Sequence, residues 1–512
     1  MIKSSPRLLL LISFVAGFAI MAMEISASRL LAPYFGTSLF VWTNIIGVVL
    51  IALSLGYYLG GKLADKKPQI NILLKLILLA GILLLVIPMV IKPLTSFVDL
   101  GISNLQTASV VIFISSLIVT VILFAIPLFI LGMVSPFIIK LYSLLEKENI
   151  GQMAGTIFAV STIGSILGTF LPTLYFIPVL GTKATINIFA MVLIVLGSLG
   201  FINIKFRLGS ILLFLFLAFY SAQLGIKDNA DLIFEDESAY QYISVFQNNQ
   251  GDRFLVYNEG GGVQSVKRHG SILTGNYFDN INLLPYLIET NSQKRVLVIG
   301  LAGGTIASQL NYFFQDEIII DGVEIDQKVI NAGEEYFGLD SSKVNIYNQD
   351  GRMFLRNSVS EDKYDLVIVD AYQKELYIPW TLTTQEFWTL IKDRLTDNGL
   401  ITINVNSIVR QSDLLNSISN TIASVFDHTY LTSLSDNSWN YLITASQTEL
   451  DFNSISNKTV NPELSDLTLV MIEKTEKINY SDKLITLTDD KAPVEFMTES
   501  MAFSYIKDSL KN

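Results

Sequence analysis

Glu324, Asp350 and Asp370 each close, or directly follow, a short apolar run, and Gly300-Leu301-Ala302-Gly303-Gly304 follows another. Small residues after an apolar strand let the backbone come close to a ligand, and an acid about 20 residues further on can accept hydrogen bonds from ribose hydroxyls. Glu324 occupies that place. Taken singly, each of these residues is as well explained as a helix cap or a turn former. Taken in order, one set at each strand end, they describe a crevice for a nucleoside. The remaining titratable groups narrow the chemistry. The chain has no Cys and only two His, His269 and His428. A thiolate metal site and a Cys nucleophile are excluded, and a zinc site or a Ser-His-Asp triad nearly so. Acid–base work falls to carboxylates, Tyr or Lys.

Positioning these residues requires a particular fold. Arg295–Ile299, Ile318–Val323, Val344–Tyr347, Tyr364–Val369 and Gly399–Val405 read as strands, and Thr305–Phe313 reads as a helix between the first two. Buried apolar strands alternating with helices predict a doubly wound, Rossmann-type parallel sheet, with ligands at the carboxyl ends of its strands. An NAD-type sheet shares the turn and the acid. Here the third glycine is missing from its usual place, and Asp350 and Asp370 have no standard role in that arrangement. A methyltransferase-like sheet that binds S-adenosyl compounds accounts for all of them. This α/β domain is expected over 291–512. A polar linker and a small β-stranded region, with strands at Tyr240–Val245 and Arg253–Tyr257 and a turn at Gly260-Gly261-Gly262, are expected over 227–290.

Residues 1–226 are of another kind. The whole chain is 51% hydrophobic and 16% charged, too apolar for an ordinary soluble protein. No charge falls within 30–61, 100–139, 149–182, 184–204 or 208–226. With the segments around 8–27 and 70–91, these give seven candidate spans for a polytopic α-helical membrane domain. Lys3 and Arg7 precede the first apolar run as in a signal peptide, but no small-residue cleavage site follows, so it reads as a retained anchor. Alternating the spans places ten Lys/Arg on the N-terminal side and three, Arg29, Lys92 and Lys183, on the other. The positive-inside rule then puts the N-terminus in the cytoplasm and makes the chain an integral cell-membrane protein with the lipid bilayer as a partner. Seven spans place the soluble part outside, whereas cofactor supply favours the cytoplasm. Glu24 and Arg29 stand at the end of the first run, where charges mark a function or an interfacial pair. Pro127, Pro136, Pro172 and Pro178 should kink the fourth and fifth spans. Residues 1–225 hold 13 Lys/Arg against 5 Asp/Glu, leaving 22 against 41 for the remainder. So acidic a soluble part argues against nucleic acid and suits a small cationic substrate.

Val296–Thr305, Val323-Glu324-Ile325-Asp326, Asp350-Gly351 and Tyr364–Asp370 resemble the core of the spermidine synthases, the polyamine aminopropyltransferases, and Val263-Gln264 resembles their N-terminal β-stranded region. The resemblance is closer still to bacterial and archaeal proteins that fuse this domain to membrane helices. It rests there on Glu24 with Arg29–Gly36, Asp370-Ala371-Tyr372, Ile378–Thr384, Leu487–Asp490 and Ala492–Glu495. It implies that Gly300, Gly303, Gly304, Glu324, Asp350, Gly351 and Gln264 bind the cofactor, with Glu324 on the ribose, Asp350-Gly351 on the adenine and Gln264 near the thioether. Asp370 becomes the acid that orients or deprotonates an attacking amine, and Tyr277, Asp279, Tyr372 and Gln373 fall on the substrate side. The implied co-substrate is decarboxylated S-adenosylmethionine, or S-adenosylmethionine itself. Methylthioadenosine is the implied product, no metal takes part, and a homodimer is the assembly to test.

The departures from that pattern matter. Gly303 stands where soluble spermidine synthases carry an Asp, Gln373 where they carry a second acid, and Tyr277-Phe278-Asp279 where they have Tyr-His-Glu. Asp489, Asp490 and Glu495 are the candidate replacements for the lost carboxylates. Three functions remain open at this point: aminopropyl transfer to a polyamine, another S-adenosyl-dependent transfer such as methylation of a membrane-delivered substrate, and a non-catalytic nucleoside sensor.

Overall fold

The computed structural model describes residues 5–99, 108–145, 150–201, 203–227, 230–259, 262–290, 292–357, 363–372, 377–434, 439–458 and 460–509. The chain divides into two compact units, Met1–Ala230 with Glu237–Tyr242, and Asp231–Asp236 with Ile243–Asn512.

The first unit is helical. Ser5 caps α1 (Pro6–Phe35), whose Pro6 suits the first turn, and Gly36 at φ 72° ends it. Ser38 caps α2 (Leu39–Lys66). The uncharged stretch 30–61 is therefore not one span. It holds the end of the first helix, a glycine break and most of the second helix. Next come α3 (Ile70–Asp99), α4 (Ala108–Thr120), α5 (Ile126–Gly132), α6 (Val134–Ser143), α7 (Ile150–Leu171), α8 (Ile177–Leu180), α9 (Thr182–Ser198) and α10 (Ile204–Gln223). Single π-helical turns, Val121–Ala125 and Pro172–Phe176, join α4 to α5 and α7 to α8. They lie beside Pro127, Pro172 and Pro178, where a missing N–H breaks the regular hydrogen-bond ladder. Among the described residues, six helical segments are long and apolar enough to cross a membrane; α9, at 17 residues, is shorter. Large apolar side chains such as Phe158, Phe170, Leu174, Leu212, Phe216 and Phe219 are exposed on α7, α10 and the π turn between α7 and α8.

Small residues set the helix pairs of this unit. A methyl group at Gly17 would overlap the Ser161 carbonyl, and one at Gly164 or Gly168 would overlap the carbonyls of Phe14 and Phe18. Helices α1 and α7 thus run parallel with their backbones in contact, and Ser13 donates to the Ile157 carbonyl across the seam. Gly56 and Gly60 bring α2 against α5 in the same way, while Gly81, Gly197 and Gly200 bring α3 against α9 with opposite direction. At the end of the bundle where α1 finishes and α9 begins, Glu237 accepts the Thr182 N–H (2.8 Å) and its hydroxyl, capping α9. Arg29 donates to the Ala239 carbonyl there, Tyr34 to that of Ile226, and Lys183 to those of Leu224 and Gly225. Arg29 is therefore engaged by residues 237–239, with Glu237 supplying the opposite charge.

The second unit opens with an antiparallel sheet of β1 (Leu232–Glu237), β2 (Tyr242–Gln247), β3 (Arg253–Tyr257) and β4 (Val263–Lys267), in that order. Eight more strands follow: β5 (Lys294–Ile299), β6 (Ile318–Glu324), β7 (Val344–Asn348), β8 (Tyr364–Val369), β9 (Leu395–Asn406), β10 (His428–Ser433), β11 (Asn440–Ser446) and β12 (Thr475–Ile478). They form one sheet ordered β12-β10-β11-β9-β8-β5-β6-β7. The five strands from β7 to β9 are parallel, as expected; β10, β11 and β12 extend the sheet antiparallel. Strands β5 and β8 are apolar over their last four residues, Val296–Ile299 and Leu366–Val369, because both faces are covered there. Leu297, Ile299, Val367 and Val369 enter one core, and Val296, Val298, Leu366 and Ile368 enter the other. The helices around them are α11 (Phe278–Ile281), α12 (Thr305–Phe314), α13 (Gln327–Ala332), α14 (Gly351–Asn357), α15 (Gln385–Lys392), α16 (Asp413–Ala423), α17 (Ser465–Glu473) and α18 (Val494–Ser509).

The α1–α7 seam gives a direct test. Gly164→Val should destabilise the helical unit by about 1–3 kcal/mol, the usual cost of overpacking. Gly155→Val, at a position with no neighbour within 4 Å of an added methyl, should leave it intact. Thermal unfolding of the two variants in detergent measures the difference.

Candidate active site

Between β5 and β8 the connections of the large sheet reverse direction, and a crevice outside the carboxyl ends of two such strands is where an α/β sheet takes its ligand. Asp370 follows β8 at that point. Its N–H bonds the Ile299 carbonyl of β5 at 2.9 Å, which fixes its backbone. Its side chain is 9% exposed. The Tyr277 hydroxyl donates to Asp370 Oδ2 at 2.8 Å, and Asn404 Nδ2 approaches Oδ1 at 3.4 Å. Burial pushes the Asp370 carboxyl up to about 7, with both hydrogen bonds pulling the other way. Burial and the adjacent carboxylate push the Tyr277 phenol well above its ordinary range, so it stays a donor.

Tyr277 is held by Asp279, a residue of α11 that was expected to meet substrate. Asp279 is 3% exposed. Its carboxylate accepts the Thr274 N–H and hydroxyl at 2.9 Å, the Gly275 N–H at 2.7 Å and the Gln309 amide at 2.6 Å. These bonds tie the loop before Tyr277 to α12 and use up the carboxylate's accessible acceptor sites. Tyr372 is likewise internal. Its hydroxyl donates to the Asn404 carbonyl at 2.8 Å and accepts the Asn406 N–H at 2.9 Å, fixing the end of β9. Gln373 and residues 260–261 lie outside the described residues.

On the other side of β5, Glu324 ends β6, 7% exposed. Its carboxylate accepts the Ala302 N–H at 2.9 Å and the Asp326 N–H at 3.1 Å. Burial pushes it up to about 7 against those bonds. Ala302 holds the turn at φ 48°, left-handed for a residue with a side chain, and strain of this kind gathers at ligand-binding turns. Gly300, at φ 87°, allows the turn to pass Asp370: a Cβ there would lie 2.5 Å from the Asp370 carbonyl. Gly303 and Gly304 have packing reasons of their own. A Cβ at Gly303 would come 2.9 Å from the Ser265 side chain, and one at Gly304 2.6 Å from Leu339. The Gly303 N–H donates to Ser265 Oγ at 2.8 Å and the Val266 N–H to Thr305 Oγ1 at 2.9 Å, so β4 with its Gln264 is fastened to the turn. Asp350 caps α14 through the Met353 N–H at 2.8 Å, and Gly351 seats that helix against Ile299.

Of the three candidate replacement carboxylates, Asp489 is already spent. Arg352, 7% exposed, grips it through two nitrogens at 2.8 and 2.6 Å, and Thr384 adds a third bond at 2.8 Å. The pair clasps the segment before α18 to α14. Asp490 and Glu495 are exposed. The residue that sequence reasoning missed is Asn404, 2% exposed beside Asp370. Its signal was positional, a polar side chain at the end of the fifth parallel strand, where the other strand ends carry acids.

A parallel core with its switch point between β5 and β8, a glycine-rich turn after β5 and buried carboxylates after β6 and β8 make the second unit a Rossmann-like sheet of the methyltransferase type. The spermine/spermidine synthase domain model matches residues 277–454. A probable polyamine aminopropyl transferase from Bifidobacterium longum is 35% identical over 286 residues, 52% of this chain and 62% of that protein. The polyamine aminopropyltransferase of Vibrio vulnificus is 31% identical over 245 residues, 47% of this chain and 80% of that protein. Among solved structures, a probable spermidine synthase from Corynebacterium glutamicum superposes with a TM-score of 0.41 at 18% identity, over 51% of this chain and 97% of that one. The chain belongs to the polyamine aminopropyltransferase family, while spanning just under two thirds of the Bifidobacterium relative's length.

Proposed function

We propose that this protein transfers an aminopropyl group from decarboxylated S-adenosylmethionine to an amine nitrogen of a polyamine, releasing methylthioadenosine. The observation that carries this reading is Asp370, a buried carboxylate at the switch point with its proton affinity raised into the neutral range. The amine lone pair attacks the methylene carbon bonded to the sulfonium. The carbon–sulfur bond breaks, its electron pair returns to sulfur, and methylthioadenosine leaves neutral. The proton lost from the amine passes to Asp370. A protonated amine has no lone pair, so a base within reach is a requirement of the step. Glu324 would hold the ribose hydroxyls, Asp350-Gly351 the adenine edge, and Gln264 on β4 would lie along the thioether. The orphan acceptor on Asn404 and the glycine-rich turn beside Glu324 are consistent with such a co-substrate. Two carboxylates held near neutrality by burial would become fully ionised next to a sulfonium, which couples co-substrate binding to activation of the base.

The helical unit, on the same reading, crosses the membrane seven times. Its pairs run parallel for the first and fifth spans and the second and fourth, and antiparallel for the third and sixth. A chain that alternates direction gives this pattern when α9 crosses too. Residues 224–226 then leave the bundle at the end opposite the N-terminus. With the Lys/Arg-rich loops in the cytoplasm, the catalytic half lies outside.

Three experiments follow. Glu324→Ala should weaken methylthioadenosine binding by about 1.5–3 kcal/mol, the scale of hydrogen bonds to a charged group; calorimetry reads it, and equal affinity for wild type and variant would remove Glu324 from the site. With decarboxylated S-adenosylmethionine limiting, kcat/KM for this co-substrate, which reports the protein before the sulfonium binds, should rise with pH through about 7 as Asp370 loses its proton. Asp370→Asn should lack that limb, bind methylthioadenosine normally and turn over about 10²-fold more slowly or worse. Release of S-adenosylhomocysteine from S-adenosylmethionine, with no methylthioadenosine formed, would assign methyl transfer instead. The absence of native Cys makes sidedness readable: a Cys at Asn71 should be shielded from an impermeant thiol reagent in intact cells and one at Lys483 labelled, and the reverse pattern would invert the topology.

A further inference from the structure

Asn404 lies beside Asp370 with half of its side-chain hydrogen-bonding capacity used. It is 2% exposed. Asn404 turns its amide nitrogen to Asp370 Oδ1, the donor that the ionised carboxylate requires. The same amide also bonds the Tyr277 hydroxyl oxygen. Both N–H groups are thereby directed at the pair that surrounds the reacting proton. The carbonyl oxygen, Asn404 Oδ1, is buried with no hydrogen-bond partner. A buried polar atom left without a partner costs about 1–3 kcal/mol, a cost that a ligand donor would relieve. The backbone that carries the side chain is fixed: it is paired with Leu442 of β11, and its carbonyl is held by the Tyr372 hydroxyl.

We infer that Asn404 Oδ1 is the second acceptor for the attacking amine, working beside Asp370; this rests on the aminopropyl-transfer reading above. A primary amine whose lone pair points at a carbon has two N–H bonds left over. Asp370 takes one, and eventually its proton. The other needs a neutral acceptor, because a second carboxylate would hold the nitrogen as an ammonium ion and remove the lone pair. An amide carbonyl anchored on a central strand meets that need and sets the angle of attack. Tyr372 is the positioning residue, acting only through Asn404.

The test uses the full-length protein in detergent, decarboxylated S-adenosylmethionine as co-substrate and 1,4-diaminobutane as amine, with methylthioadenosine affinity measured alongside. Asn404→Leu should raise KM for the amine about tenfold or more, the equivalent of one lost hydrogen bond to a polar donor, and leave methylthioadenosine affinity within about twofold. Asn404→Asp keeps an acceptor and loses the donor to Asp370. Its amine KM should stay within about threefold of wild type while kcat falls and the pH limb moves. An Asn404→Leu protein with unchanged amine KM and a lowered kcat would show that Asn404 only holds Asp370, and would overturn the inference. So would parallel loss of methylthioadenosine binding in both variants. Where Asn404→Leu does not fold, Asn404→Asp decides, a tenfold rise in its amine KM counting against the assignment. A wild-type protein that releases no methylthioadenosine overturns the transfer reading and this inference together, whereas an active wild type with indifferent Asn404 variants overturns the inference alone.

Discussion

Exclusion of water from one carboxylate governs the arrangement of the second unit. Asp370 in water would be a weak base, ionised and indifferent to an amine. Buried at the end of a central strand, it holds a proton near neutrality, and its charge acts through a medium less polarisable than water. Each neighbouring feature serves that burial. The turn after β5 passes within van der Waals range of Asp370 because residue 300 has no side chain. Tyr277 covers one carboxylate oxygen and Asn404 the other. Asp279 stiffens the loop that brings Tyr277 in, and Tyr372 stiffens the strand that brings Asn404 in. Strands β5 and β8 are apolar on both faces because only a sheet covered on both sides keeps its strand ends dry enough for this effect.

That division of labour explains what could and could not be read in the sequence. Strands β5, β6, β8 and the second half of β9 were legible because a strand buried on both faces is a mostly apolar run, while β7, exposed at the sheet edge, was legible from Val344 and Ile346 with Asp350 after it. Strands β10 and β11 were not. Their sequences, such as His428-Thr429-Tyr430-Leu431-Thr432-Ser433, mix Thr and Ser with apolar residues, and burial of Thr429 and Thr432 depends on neighbours far away in the chain. Glycine is ambiguous in the same way. Gly303 reads as an approach point for a ligand, yet its contacts with Ser265 and Phe337 alone would demand it. Asp279 and Asp489 read as free carboxylates because a sequence does not show that Thr274, Gly275 and Gln309, or Arg352 and Thr384, have already claimed them.

The helical unit obeys a different constraint. In a bilayer, apolar side chains would gain little from meeting one another, and contact between these helices comes from shape and from backbone approach. Gly17, Gly164 and Gly168 let α1 and α7 touch, and Gly56 and Gly60 do the same for α2 and α5. Hydropathy alone marked the apolar helices but misplaced the first boundary, because 30–61 is uncharged across the turn at Gly36. Charge counts could not show that Arg29 is answered by Ala239 and Glu237 rather than by Glu24, since the partners are more than 200 residues apart.

A base that must also tolerate a cationic substrate faces two opposed demands. More negative charge in the crevice binds the sulfonium and the polyamine more tightly, but it also stabilises the ammonium form of the amine, which cannot attack. Two carboxylates on one nitrogen would favour binding at the expense of the lone pair. Gly303 and Gln373, where soluble relatives carry acids, and the neutral Asn404 beside Asp370 shift this balance in one direction. On the aminopropyl-transfer reading, the thinning of negative charge is then not a decay of the site. It would lower the barrier to deprotonation while giving up some attraction for a diamine, and an acidic soluble half, with 41 acids against 22 bases beyond residue 225, would supply part of that attraction at longer range.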